Sequence, residues 1–253
     1  MAELTQKENI QEQEYQWPYH FKDLMASGYK PLRLLEYTSK LARIKELIAP
    51  FEGQTVLDAG CGDGRFCFEM KEEAVRMAGV DMSPRAVAYA RAFCFGTDVE
   101  FLCQDLRALD INERFDIITF LDTLEHVPPD EVPIVLECLH RHLKPGGRLI
   151  VSVPTWNTKL PDKHFQHFDP ESLEATVGPG FRLILVEGFF NKRKKIIVKQ
   201  FQNVIGNMYT LLGKVGLYRP LNNYAIRYFR TKAAPGKPED CLDMIAIFEK
   251  VEE

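Results

Sequence analysis

The sequence predicts a doubly wound α/β fold, and three observations carry that prediction. Short β-rich runs alternate with helical stretches between residues 55 and 154. The first run leads into the glycine cluster Asp58-Ala59-Gly60-Cys61-Gly62-Asp63-Gly64. The helical stretches are long enough to serve as crossovers between parallel strands, which places helices on both faces of the sheet.

In chain order, the first sixteen residues are rich in Gln and Glu and read as frayed. Trp17-Pro18-Tyr19-His20 opens an aromatic, amphipathic region, and Leu32, Leu35, Leu41, Ile44, Leu47 and Ile48 keep near-helical spacing up to Pro50. Residues 1–49 are therefore read as an N-terminal helical segment and 50–253 as the main domain. Strands are expected at 56–57, 76–81, 99–103, 115–120 and 148–153, the last launched by the turn Lys144-Pro145-Gly146-Gly147. Helices fit at 65–73, 84–93 and 132–143, and Ser83 before Pro84 has the N-cap and first-turn signature. A short helix at 172–177 and strands at 181–190 and 241–251 follow. Residues 191–240 are too long for a hairpin loop and too apolar for a disordered linker (Ile196, Val198, Phe201, Val204, Ile205, Met208, Leu211, Leu212), so they are read as a helical insertion.

With 253 residues, 45% of them hydrophobic, the chain can bury one substantial core. A net charge of −4 gives no global bias toward nucleic acid. The six cysteines are scattered without a C-x-x-C pair, which argues against a structural zinc motif and for a reducing compartment. The polar start and the absence of an apolar run near the roughly 20 residues a membrane span needs make the cytoplasm the expected location.

The glycine cluster has the form D-x-G-x-G-x-G. A dinucleotide fingerprint would place a third glycine where Arg65 stands. Carboxylates flanking the turn would repel a pyrophosphate but suit a ligand bearing an ammonium and a sulfonium. Asp81, ending the second strand, suits a bidentate grip on two ribose hydroxyls. Asp105, after the third, can accept from an adenine amino group, and Leu121, after the fourth, can lie near the reacting centre. Acids at the ends of successive parallel strands converge on the carboxyl edge, where open α/β sheets bind ligands.

On these residues, together with Phe115-Asp116-Ile117 and Leu143-Lys144-Pro145-Gly146-Gly147, the chain resembles the class I S-adenosylmethionine-dependent methyltransferases over roughly 50–190 and 241–250. The resemblance implies a Rossmann-like seven-stranded sheet of order 3-2-1-4-5-7-6 with the last strand antiparallel. It implies S-adenosyl-L-methionine as cofactor, S-adenosyl-L-homocysteine as product, and contacts from Asp58, Gly60, Cys61, Gly62, Gly64, Asp81, Met82, Asp105, Leu106 and Leu121.

The acceptor side draws on Asp122-Thr123-Leu124-Glu125-His126-Val127 and Lys163-His164-Phe165-Gln166-His167-Phe168. The first segment resembles the E-x-x-E-H stretch of ubiquinone-pathway O-methyltransferases and small-RNA 3′-terminal methyltransferases. There, with a later histidine, it can hold a divalent metal across a diol-like acceptor. The matching positions are Asp122, Glu125, His126 and His167 or His164, with Asp122 one methylene shorter than the family's glutamate. The catalytic candidates are Glu125, His126 and His167, and three readings stay open: His126 as general base, a mixed oxygen and imidazole metal site, or Glu125 as a capping acid beside packed loop histidines. His167 lies just before Asp169-Pro170, itself a good helix start. Pro154-Thr155-Trp156-Asn157 is read as part of the acceptor wall, and Trp17, Tyr19, His20, Phe21 and Tyr29 as aromatics that either close over the cofactor or join the core.

The insertion is strongly basic, with Lys192-Arg193-Lys194-Lys195, Lys199, Lys214, Arg219, Arg227, Arg230 and Lys232 among aromatic and apolar residues. Through 191–237 it suits a lipid-linked substrate or an anionic membrane surface, an RNA backbone, or simply a solvated face. The leading expectation is O-methylation of a small or lipid- or nucleotide-linked metabolite, sugar or quinone-like. The rivals are metal-dependent RNA 3′-terminal 2′-O-methylation and a catalytically silent, cofactor-binding subunit.

Overall fold

The computed structural model describes residues 10, 12–21, 32–50, 53–72, 74–207, 214 and 216–251. Its strands are β1 (Thr55–Ala59), β2 (Arg76–Asp81), β3 (Glu100–Cys103), β4 (Phe115–Leu121), β5 (Leu143–Pro154), β6 (Phe181–Asn191), β7 (Pro235–Gly236) and β8 (Cys241–Lys250). Its helices are α1 (Leu32–Ile48), α2 (Arg65–Met70), α3 (Pro84–Phe93), α4 (Val132–His142), α5 (Pro170–Val177), α6 (Lys192–Asn207) and α7 (Tyr218–Tyr228).

The strands form one sheet in the order β3-β2-β1-β4-β5-β8-β6-β7. The first five run parallel, and β8 lies antiparallel between β5 and β6. With β7 set aside this is the expected order, including the reversed last strand. The correction concerns number. β7 adds an eighth strand whose two residues pair with Gly188 and Phe189 at the sheet edge, too short a segment to leave a periodic signal. β5 also starts before the Lys144–Gly147 turn rather than after it. Leu143 pairs with Phe115, the register then slips, and Gly146 takes φ +67°, so the glycine turn is a bulge within the strand.

The period-2 pattern of the strands divides the core into two layers. Ile245 and Ile247 of β8 pack in the layer of Ile44, Ile48, Phe66 and Val87 from α1, α2 and α3. Met244, Ala246 and Phe248 join Leu136, Leu139 and Leu173 from α4 and α5 on the other face. The helix starts follow local chemistry: Ser83 Oγ accepts from Ala86 N at 3.1 Å, and Asp169 with Ser172 closes a capping box ahead of α5.

The 191–240 segment contributes α6 and α7, which pack on each other, and is rooted by Phe229, fully buried against the layer containing Phe189 and Phe190. At the other end of the chain Phe21 is wholly buried and stacks on Phe93 at 3.8 Å between ring centroids. Tyr29, Met208, Tyr209, Leu211 and Leu212 lie outside the described residues. Among the described residues, no helix is long and apolar enough to cross a membrane.

Candidate active site at the carboxyl edge of the sheet

The turn after β1 requires its glycines. Gly60, Gly62 and Gly64 have φ of +74°, +54° and +81°, a region that side chains with a Cβ rarely enter. A Cβ on Gly60 would clash with Thr123 Oγ1, and one on Gly64 would meet Ala90 of α3 at 2.7 Å. The amides of Gly60 and Cys61 donate to Val80 O at 2.8 and 2.9 Å, tying the loop to the end of β2. Asp81 then accepts from Gly62 N and Ser83 N, both at 2.8 Å, which fixes its carboxylate at the edge. Burial raises the Asp81 carboxyl to about 6, against the pull of those two amides. Asp58 is deeper, with 3% exposure. Burial pushes it up to about 7, although Thr119 Oγ1 donates to it at 2.7 Å.

The other expected cofactor residues reach the same edge, with one revision. Met82 is 41% exposed beside Asp81, while Cys61 is buried. Leu106 and Leu121 are half-buried at the strand ends. Asp105 caps the following turn through Arg107 N at 2.9 Å, and its carboxylate is paired with the Arg107 guanidinium, which also reaches Glu131. Burial alone would raise Asp105, but these bonds hold it below the usual carboxylate range. Its oxygens are therefore committed to arginine, unlike the open acceptor expected from sequence.

The N-terminal aromatics lie on the glycine loop. Tyr15, buried and stacked on Tyr19 at 5.3 Å, places its hydroxyl 2.7 Å from where a Gly62 Cβ would stand. His20 binds Asp63 through its backbone N (3.1 Å) and Nδ1 (2.9 Å), and stacks on Tyr37. Arg65 donates to His20 O at 2.6 Å, and Tyr89 Oη to Gln16 O at 3.0 Å. Trp17, by contrast, is exposed.

On the acceptor side, Asp122 has φ +50°, unusual for a residue with a side chain. It is held by Lys40 of α1, whose Nζ donates to its two oxygens at 2.6 and 2.5 Å, and by Ser152 Oγ at 2.9 Å. Lys40, 3% exposed, also reaches Asp243 of β8 at 3.3 Å. Burial would raise Asp122, but the ammonium holds it below the usual range, while Asp243, less closely paired, is pushed up to about 6. Sequence reasoning missed Lys40. Its signal was a lysine in register with Ile44 and Ile48 on the apolar stripe of α1, where a cation needs a buried partner.

Glu125 is 2% exposed, and its Oε2 has no hydrogen-bond partner among the described residues. Burial, then the nearby Asp122 charge, pushes its carboxyl well up. His126 Nδ1 lies 3.1 Å from Lys163 O, His167 Nδ1 3.1 Å from Thr158 O, and His164 Nδ1 2.8 Å from His167 Nε2. Carbonyls only accept, so His126 and His167 carry their protons on Nδ1. His167 Nε2 then accepts from His164, and the lone pairs of His126 and His164 fall on Nε2. Burial lowers His126 to about 4 and His164 to about 3, so both imidazoles are neutral at pH 7.

One ligand atom from each of Glu125, His126 and His164 lies within 4.8 Å of the others. Of the positions read from sequence (Asp122, Glu125, His126 and His167 or His164), these three are the ones brought together among the described residues. Asp122 is occupied by Lys40, and His167 stands behind His164 as its hydrogen-bond partner, leaving His164 as the later histidine. Trp156 Nε1 donates to His167 O at 2.7 Å with its ring largely exposed, and Phe165 N donates to Glu125 O at 2.8 Å.

The chain has relatives among known proteins. Residues 56–147 match the family described as "Methyltransferase domain". A ubiquinone biosynthesis O-methyltransferase of Pseudomonas entomophila is 37% identical over 111 residues, 42% of this chain and 47% of that protein. One of Serratia proteamaculans is 33% identical over 173 residues, 67% of this chain and 66% of that protein. The chain thus spans about half the length of most of the curated relatives it matches. Among solved structures, the N-methyltransferase NodS of Bradyrhizobium japonicum, in complex with S-adenosylhomocysteine, superposes with a TM-score of 0.62 at 15% identity. That match covers 98% of this chain and 100% of NodS, a likeness of fold.

Proposed function

The chain belongs to the class I S-adenosylmethionine-dependent methyltransferases, and from that membership we propose that it methylates a hydroxyl oxygen of a small or lipid- or nucleotide-linked acceptor. The observation that carries the reading is the buried, unpartnered Glu125 Oε2 beside two neutral imidazoles. A bare carboxylate in such a place is unfavourable, and a divalent cation is the partner that a mixed oxygen and nitrogen set suits. The relatives named as O-methyltransferases support oxygen as the receiving atom.

S-adenosylmethionine, the cofactor of this family, supplies when bound a methyl carbon activated by its sulfonium. The residues present fit it: acids flank the glycine turn, and the Asp81 carboxylate is held by two amides at the strand edge. In this reading Asp81 takes the ribose hydroxyls and Asp58 faces the ammonium end. Leu106 and Met82 flank the base, and Leu121 lies toward the reacting carbon. Glu125, His126 and His164 would hold the cation, which would supply Lewis-acid ionisation of the acceptor hydroxyl. With its Nε2 lone pair given to the cation, His126 would not also serve as the base, and the hydroxyl proton would exchange with bulk solvent before methyl transfer. Trp156 offers a fixed indole face to the acceptor. The same trio and the basic 191–237 segment would also suit RNA 3′-terminal 2′-O-methylation, which an RNA arm in the acceptor screen separates.

The test is calorimetric titration with S-adenosylhomocysteine, then turnover on catechol-like, sugar, amine and RNA acceptors with and without chelator. Chelator-sensitive turnover on a hydroxyl acceptor supports the reading, and chelator-resistant methylation of an amine overturns it. Two further results are expected. Asp81→Ala should weaken S-adenosylhomocysteine binding by about ten- to a hundredfold, the scale of one charge-assisted hydrogen bond. An unchanged dissociation constant would remove Asp81 from the ribose role.

The second concerns protons. The Asp58 carboxyl sits at about 7 in the folded chain, and an ammonium beside it favours the ionised form. Binding should therefore release a proton at pH below that value, with affinity rising toward pH 7 and then levelling. Calorimetry in two buffers of different ionisation enthalpy reads this directly, and Asp58→Asn should reduce the buffer dependence.

A further inference from the structure

The residues between Glu187 and Glu239 include eleven lysines and arginines and not one aspartate or glutamate, in a chain whose net charge is −4. About a third of the chain's lysines and arginines thus lie on α6, α7 and their flanks, a segment with no carboxylate of its own, and Glu46 of α1 lines the cleft beside Arg227 and Arg230. The same elements carry large apolar side chains in solvent: Ile196, Ile197 and Val204 on α6, Leu217, and Tyr224 on α7 are each more than half exposed. Exposed Arg193, Lys199 and Arg227 lie among them. On α6 the spacing Arg193, Ile197, Val204 follows one helical stripe, and on α7 Tyr224 stacks on Tyr228 one turn later. The root of the pair is not exposed, since Phe229 is buried in the core. A solvated face would not need its apolar residues turned outward. A face that is cationic, apolar and firmly rooted is the combination that anionic bilayers select.

We propose that the α6–α7 face docks on an anionic lipid surface, with Ile197, Val204 and Tyr224 entering the headgroup boundary and Arg193, Lys199 and Arg227 meeting lipid phosphates. The face is continuous with the acceptor side of the sheet. Lys192 Nζ, at the start of α6, donates to Asn157 Oδ1 at 2.7 Å, and Asn157 Nδ2 donates to Cys241 O at 2.8 Å. Asn157 follows Trp156, which is bonded to His167 O. Docking would therefore set the acceptor-side loop near the lipid surface. The docking claim stands without the methyl-transfer reading, because it is tested without turnover.

The experiment is co-sedimentation of the full chain with phosphatidylcholine vesicles, with and without phosphatidylglycerol, at low and high salt. Binding is expected only to the anionic vesicles, and high salt should weaken it. Each basic residue at such a surface contributes roughly fivefold, so the triple variant Arg193→Glu, Lys199→Glu, Arg227→Glu should bind at least about a hundredfold more weakly. The triple variant Ile197→Ser, Val204→Ser, Tyr224→Ser should also lose binding, which a purely electrostatic attraction would not show. All six side chains are exposed, and circular dichroism checks that the fold is kept. Equal binding to neutral vesicles, no binding to either kind, or full binding by the charge-reversed chain overturns the proposal. So does tight binding of a short single-stranded RNA by a chain that ignores the vesicles.

Discussion

Replacing Glu125 with glutamine is expected to lower turnover by about a hundred- to a thousandfold, the scale on which loss of one electrostatic stabiliser acts. S-adenosylhomocysteine binding should stay nearly unchanged. The substitution keeps shape and volume at a wholly buried position and replaces an ionisable oxygen with a neutral amide nitrogen. If the carboxylate helps hold a cation, the variant should also lose manganese binding, readable by electron paramagnetic resonance without any acceptor. Metal affinity in the unmodified chain should rise with pH. Burial and the Asp122 charge push the free Glu125 carboxyl well up, so a cation must displace its proton before it can bind. Turnover unaffected by Glu125→Gln would show that the chemistry lies elsewhere. Lost turnover with intact manganese binding would keep Glu125 in the site but remove it from the metal.

Lys40→Met should lower stability by about 2–4 kcal/mol, shifting the thermal midpoint by roughly 10 °C for a chain of this size. Breaking a buried pair leaves a carboxylate uncompensated, and here two carboxylates, Asp122 and Asp243, depend on one ammonium. The Asp122 side chain is 34% exposed, so water screens part of the loss and the cost falls below the full range for buried pairs. The double variant Lys40→Met, Asp122→Asn should recover part of the stability, since it removes the more tightly paired of the stranded charges. Urea unfolding of the two variants beside the unmodified chain decides the matter. A double variant no more stable than the single one would mean that Lys40 acts through packing alone.

Much of the fold was legible because its signals are local. Apolar runs such as Phe115–Leu121 mark central strands, the pair Ser83-Pro84 marks a helix start, and glycines at 60, 62 and 64 mark a turn only they can make. What escaped depends on residues far apart in sequence. Lys40 meets Asp122 and Asp243 across separations of 82 and 203 residues, and no periodicity encodes such pairing. Asp105 was legible as a strand-end acid but not as the partner of Arg107, because position along the chain does not show which way a carboxylate turns. The choice between His164 and His167 likewise rests on a hydrogen bond between two imidazoles, a matter of ring orientation rather than spacing.

The aromatic residues lying on the glycine loop also bear on time. Tyr15 holds its hydroxyl against Gly62, and the segment carrying it is fastened through Asp63, Arg65 and Tyr89. A ligand that approaches Gly62 closely must push this segment aside on arrival and again on departure. Its apparent affinity is then its intrinsic affinity scaled by the fraction of molecules in which the segment has lifted. The same fastenings would slow the departure of whatever is enclosed, so residues that touch no reacting atom would bear on how long a ligand stays.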